Sequence, residues 1–183
     1  MRLYTGAALA AALILSACGG ETSVDADADG DGAITTSEAR AAVEAAGADL
    51  KPEPGQYATT MTLTDVNIPG APPEMAQMMG QAMNRTGEFC LTPEQAERGF
   101  EGSLKEGQNE ACTIETFTIE GNQVDMAMSC NQAGMGDMAV TMSGEVAPTQ
   151  SDLTMKMNGT IPQLGAVEMA LSFQQKRVGD CAS

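Results

Sequence analysis

From Tyr57 onward the chain alternates with period two. Tyr57, Thr59, Met61 and Leu63 fall on one side of an extended segment. The pattern returns in Val124-Met126-Met128, Met138-Val140-Met142, Leu153-Met155-Met157 and Val167-Met169-Leu171-Phe173. Thr, Ser, Asp, Gln and Lys fill the alternate places. Successive side chains of a strand point to opposite faces, so the pattern calls for strands with one apolar and one wetted face. Turn residues punctuate the segments at Gly121-Asn122, Gly134 to Gly136, Pro148 to Ser151 and Gly159 to Gly165. Strands joined in chain order by such turns form an antiparallel meander, here of five to six strands. The expected class is mainly β (α+β), a curved sheet that must hide its apolar face.

A cover is available in Pro72 to Met83, where Met75, Met78, Met79, Ala82 and Met83 share one helical stripe. A second short helix is expected after Pro93, ending by Gly99. A core rich in Met packs adaptably and can open to admit an apolar ligand. Met75 with Met78, Met126 with Met128 and Met155 with Met157 would also suit a soft ion such as Cu(I). On a strand, however, residues two apart face the core together whatever their purpose, so packing alone produces that spacing.

Upstream, Pro52-Glu53-Pro54-Gly55 breaks the chain, and the stretch before it is acidic and rich in alanine. There, Asp27 to Glu38 follows the calcium-loop pattern D-x-D-x-D-G-x-I-x-x-x-E. Calcium takes six to eight oxygens, and carboxylates at alternate positions of a tight loop can all turn inward. Asp27, Asp29 and Asp31 hold those positions, Gly32 permits the turn, the Ala33 carbonyl and Thr35 follow, and Glu38 closes the site. The stretch resembles half an EF-hand, or the loop of a dockerin-type module. Asp27 comes only nine positions after Cys18, too few for an entering helix. An exiting helix is expected from about Ser37 to Ala46, capped by Thr35 with Glu38 and stopped at Gly47. Its apolar face is mostly alanine and is expected to bury little. One calcium ion, bound weakly in the ~10⁻⁴ to 10⁻³ M range of extracellular modules, is the expectation.

Leu15-Ser16-Ala17-Cys18 after a short apolar run reads as a lipobox. The expected organisation is a lipoprotein signal peptide over 1–17, a lipidated tether over 18–24 beginning at Cys18, the calcium loop and exiting helix over 25–50, and the sheet domain over 51–183. The product would be anchored in the cell envelope, facing the periplasm, with Gly19 favouring the outer membrane. Losing residues 1–17 removes one of nine basic and none of twenty-five acidic residues, leaving 8 − 25 = −17. Such a chain repels nucleic acid and anionic headgroups.

Four further cysteines, Cys90, Cys112, Cys130 and Cys181, read as two disulfides in an oxidising compartment, with three connectivities available. The turn at Gly121-Asn122 lies midway between Cys112 and Cys130 and favours pairing those two, which leaves Cys90 with Cys181. A two-residue loop there aligns Phe117 and Ile119 with Val124 and Met126, but sets Cys130 opposite Thr113. A bulge or a three-residue loop is needed to bring Cys112 into place.

Cys90-Leu91-Thr92-Pro93-Glu94 after a Pro-Pro-Glu-Met helix, Gly121-Asn122-Gln123-Val124 between two cysteines, Gly179-Asp180-Cys181, and the opening Pro54-Gly55-Gln56-Tyr57 together carry a resemblance. Over about residues 51 to 181 the chain resembles the bacterial envelope family catalogued as domain of unknown function 3617. The resemblance implies an exported, disulfide-containing single domain and supplies no catalytic residues. No histidine occurs, so a Cys-His or Ser-His nucleophile cannot be built. The expected function is that of a non-enzymatic envelope lipoprotein whose β domain binds a partner or an apolar ligand. A periplasmic carrier of lipid is the alternative, ahead of a Cu(I)-binding protein or an enzyme.

Overall fold

The computed structural model describes residues 23–47, 50–98, 112–132, 136–162 and 165–182. The expected signal peptide over 1–17, the expected lipidation site Cys18 and Gly134 lie outside them. In chain order the elements are β1 (Ser23–Asp25), α1 (Thr36–Ala46), β2 (Gly55–Asn67), α2 (Pro73–Met83), β3 (Arg85–Leu91), α3 (Pro93–Arg98), β4 (Cys112–Glu120), β5 (Gln123–Gln132), β6 (Gly136–Ala147), β7 (Gln150–Ile161) and β8 (Gly165–Gly179).

All eight strands form one open antiparallel sheet in the order β1-β4-β5-β6-β7-β8-β2-β3. The meander expected from the alternation is the run β4 to β8, with β2 laid along β8. The count of five to six strands is corrected to eight, because the two edge strands β1 and β3 carry almost no alternation. β1 has three residues, and β3 mixes Arg85, Gly87 and Glu88 with few apolar side chains. Charge, glycine and short length are how natural sheets blunt their edges, and the same devices erase the period-two signal.

Two-residue turns join β4 to β5 at Gly121-Asn122 and β6 to β7 at Pro148-Thr149. The register after the first turn sets Ile119 opposite Val124 and Phe117 opposite Met126. A bulge between Ile114 and Thr116 then shifts the pairing so that Cys112 faces Cys130. Both disulfides follow the expected pairing, Cys112–Cys130 and Cys90–Cys181.

The cover is not the one expected. None of the described side chains of α2 is buried, and Met78 is 69% exposed. The helix runs beside the lower half of β2, where Asn84 just past its end accepts the Leu63 N–H through Oδ1 at 2.7 Å. It therefore lines the sheet's flank instead of lying over its face. That task falls to α1, whose Ala39 and Ala42 are buried against Ile114, Phe117, Ile119, Val124 and Met126. The alanines expected to bury little are what let the helix backbone approach β4 closely. Ile114, Phe117 and Ile119 are fully enclosed, and burial of such side chains contributes ~1.5–3 kcal/mol each.

The two disulfides differ in what they restrain. Cys90–Cys181 spans 91 positions and Cys112–Cys130 spans 18. Loop-closure entropy makes the longer one worth about 4.5 kcal/mol and the shorter about 3. Equilibrium urea unfolding should accordingly show a larger loss for the Cys90→Ala/Cys181→Ala variant than for Cys112→Ala/Cys130→Ala. The reverse order would show that native packing, and not chain restriction, governs their contribution.

Candidate functional site: an apolar cavity and an acidic loop

The acidic loop leaves β1 and is built from side chains that satisfy its own turns. Asp27 Oδ1 accepts the Gly30 N–H at 2.9 Å and Oδ2 the Gly32 N–H at 3.2 Å. Asp29 accepts from Asp31 N–H at 3.2 Å, and Asp31 from Ala33 N–H at 2.8 Å. Gly32 has φ +81°, the left-handed conformation that glycine adopts without strain. The loop is then fixed to the sheet: the Ile34 N–H donates to the Ile114 carbonyl at 2.9 Å, and Ile34 is buried.

Of the residues that the loop pattern assigns to a cation, the structure brings together Asp27, Asp29 and Glu38, whose carboxylate oxygens lie within 4.8 Å of one another. Asp31 is turned to the Ala33 N–H instead. Thr35 is the N-cap of α1, its Oγ1 accepting the Glu38 N–H at 3.3 Å and donating to Glu38 Oε2 at 2.7 Å, while Thr35 N–H donates to the same oxygen at 2.8 Å. These bonds to Thr35, the backbone one foremost, hold the Glu38 carboxyl below its usual range. The donor atoms are all hard oxygens, which suits calcium in kind.

The larger feature lies on the apolar face of the sheet. A half-open cavity of about 530 Å³ lies there, within the ~300–1,000 Å³ range of small-molecule sites. Phe117, Ile119 and Val124 form its wall on β4 and β5, Met142, Leu153 and Met155 on β6 and β7, and Leu171, Phe173, Tyr57 and Met61 on β8 and β2. Phe89 and Leu91 of β3 close one side, and Val43 of α1 with Leu50 and Pro52 of the following connection close another. Tyr57 fixes that connection to the rim. Its hydroxyl lies 2.8 Å from the Glu53 carbonyl and 2.9 Å from that of Pro148, its one proton shared between them. Burial raises the Tyr57 pKa, with the Arg177 charge working against it. The Tyr57 and Phe89 rings stack with centroids 5.6 Å apart.

The polar lining consists of Gln95, Gln150, Ser151 and Gln175, and no charged side chain is among the described lining residues. Ser151 and Gln175 are direct cross-strand partners on β7 and β8. From the sequence Ser151 is the last residue of the turn that starts at Pro148, whereas it lies in β7; Gln175, Leu50 and Val43 were not singled out. The alternation does place Ser151 and Gln175 on the apolar face, in phase with Leu153 and Phe173, and that polar interruption of two apolar stripes was the available signal.

The class defined by the fold is a mainly β domain, an open antiparallel sheet of eight strands with two disulfides. The protein-family model described as Protein of unknown function (DUF3617) matches residues 52–181, and the chain belongs to that family. The acidic loop and α1 lie ahead of the matched stretch. No curated protein and no solved structure matches the chain. No helix among the described residues is long and apolar enough to cross a membrane.

The capping box makes a pH prediction. Because the folded-state pKa of Glu38 is lowered, its contribution is complete above the unfolded carboxylate value and fades as pH falls through the lowered one. Carboxyl chemical shifts followed by NMR should show Glu38 titrating below the free-glutamate value. Glu38→Gln, which keeps the acceptor oxygen, should leave α1 folded and remove that acid-dependent step. A Glu38 midpoint at or above the free value would contradict the cap.

Proposed function

We propose that the chain is a non-enzymatic envelope lipoprotein, tethered through Cys18, whose sheet binds an apolar small molecule. The observation that carries this reading is the cavity: about 530 Å³ bounded by apolar side chains from all but one of the eight strands and from α1. An apolar void forfeits the dispersion contacts that a ligand would restore. The strand methionines belong to this face. Met126 and Met142 are buried in its core, which supports a packing role over soft-metal binding.

Native purification, organic extraction and mass spectrometry should yield an apolar species in near-stoichiometric amount. Leu153→Trp, which fills the cavity from β7, should lower that yield at least ~10-fold, since loss of the contacts of a few methylenes already costs that much. It should do so while thermal unfolding stays close to that of the native protein. Equal yields from both proteins, or none from the native one, would sink the reading.

The acidic loop is proposed to hold one calcium ion through Asp27, Asp29, Asp31, Ala33, Thr35 and Glu38, with the carboxylates of the convergent trio as its core. Asp29→Ala is the cleanest test, because Asp27 also secures two glycine N–H groups and Glu38 caps α1. Calorimetry should show binding of one calcium ion, with Kd in the ~10⁻⁴ to 10⁻³ M range and weak competition by magnesium, and loss of that heat in the variant. Absence of heat from the native protein at millimolar calcium rejects the site. The tether is checked separately: fatty-acid labelling should mark the native protein and not Cys18→Ser.

A further inference from the structure

The cavity is not uniformly apolar, and its one polar row stands out by position. Val146, Ser151, Gln175, Thr59 and Gly87 succeed one another across β6, β7, β8, β2 and β3. The next row inward is Leu153, Phe173 and Met61, followed by Met142, Met155, Leu171 and Leu63. A polar band thus crosses the apolar face between the stacked Tyr57–Phe89 pair and the deeper apolar rows.

Within the band Thr59 is engaged, its Oγ1 donating to the Gly87 carbonyl at 3.2 Å. Ser151 is different. It is 9% exposed and lines the cavity, yet among the described residues no side-chain hydrogen bond is made by its hydroxyl or by the carboxamide of Gln175. Among the described residues no fully sealed polar side-chain atom lacks a partner, so the free bonding capacity of Ser151, a lining residue, opens into the cavity. A hydroxyl open to the cavity can bond a ligand oxygen in place of water.

The charge environment narrows that ligand. The basic group nearest along β8 is Arg177, whose Nε donates to the Pro54 carbonyl at 2.9 Å and whose Nη2 pairs with Asp180 at 2.6 Å. Lys176 and Asp152 point to the opposite face, where Gln174 holds Asp152 at 2.8 Å. No Lys or Arg is among the described residues that line the cavity, so a carboxylate or phosphate brought to Ser151 would be disfavoured, in a chain with formal charge −16. A hydroxyl and a carboxamide each donate and accept, which matches an uncharged oxygen function.

We propose that Ser151 and Gln175 form a hydrogen-bonding subsite for a neutral long-chain lipid, its ester carbonyl or hydroxyl held at this pair and its hydrocarbon lying over Leu153, Phe173 and Leu171. The proposal rests on the cavity reading above and specifies which apolar molecule the cavity selects. The test is displacement of a pyrene-labelled alkyl probe from the purified full chain by a monoacylglycerol, the free fatty acid of the same chain length, and the matching alkane. The monoacylglycerol should compete about tenfold better than the fatty acid or the alkane, the scale set by one well-made buried hydrogen bond. Ser151→Ala/Gln175→Leu should bind the probe as well as the native protein while losing that preference. The single variant Ser151→Ala should lose part of it, which covers the case where the double variant fails to fold. Probe binding with no preference for the ester, or a preference unchanged by the substitutions, overturns the subsite and leaves the cavity reading standing. Failure of the native protein to bind the probe overturns both.

Discussion

Strand β4 carries the constraint on which the rest of the molecule depends. One of its edges is paired with β5; the other holds β1 and the Ile34 bridge. The bulge at Glu115 makes the two compatible. Counting back in strict alternation from Ile119 and Phe117, the next inward residue is Glu115; the extra residue hands that place to Ile114. An acidic side chain is thereby kept out of the core, Cys112 is brought opposite Cys130, and Ile114 presents its carbonyl to Ile34. A one-residue slip would undo all three at once.

That detail marks the boundary of what the sequence made legible. The β4–β8 meander, the two-residue turn at Gly121-Asn122, the limits and capping box of α1, and both disulfides were readable from local pattern. Even the need for a register shift was readable, because a two-residue loop and a Cys112–Cys130 pair conflict unless one residue is added. What escaped was long-range. α2 carries a more conspicuous methionine stripe than the alanine stripe of α1, so amphipathicity alone ranks it as the cover. Which helix docks is decided by where its flanking chain is held: Asn84 ties the end of α2 to the flank of β2, whereas the Ile34 bridge delivers α1 onto β4. Of the acidic loop, the sequence showed the turn glycine and the helix cap correctly, but not that Asp31 would turn to the Ala33 N–H.

The cavity follows from composition once the cover is known. The chain has six aromatic residues and no tryptophan, and four of those six, Tyr57, Phe89, Phe117 and Phe173, already stand in the cavity wall. Among the described residues, little remains to fill the space between them. The covering helix contributes Ala39, Ala42 and a half-buried Val43, side chains chosen for close approach to β4 and too short to reach β7 or β8. A wide sheet under a narrow, small-residue helix leaves a gap on the side away from that helix. Close packing is the rule in protein interiors, and a gap of this size bounded by apolar atoms departs from it.

The family-matched stretch does not build this cavity alone. Residues 52–181 supply seven of the eight strands, but Val43 and Leu50, which close one side of the cavity, come from the segment before it. The same segment buries Ala26, Ile34, Ala39 and Ala42 against β4 and β5, so without it Ile114, Phe117 and Ile119 would face water. At ~25 cal/mol per Å² of apolar surface, exposing three large side chains costs several kcal/mol, a substantial share of the ~5–15 kcal/mol that holds a domain folded. In this protein the acidic loop and its helix are therefore part of the folded unit and of its cavity wall. Thr35 caps α1 at one end, and the Glu53 N–H donated to the Pro148 carbonyl at 2.8 Å secures the chain beyond the other. The position of Val43 over the cavity is set between those two attachments.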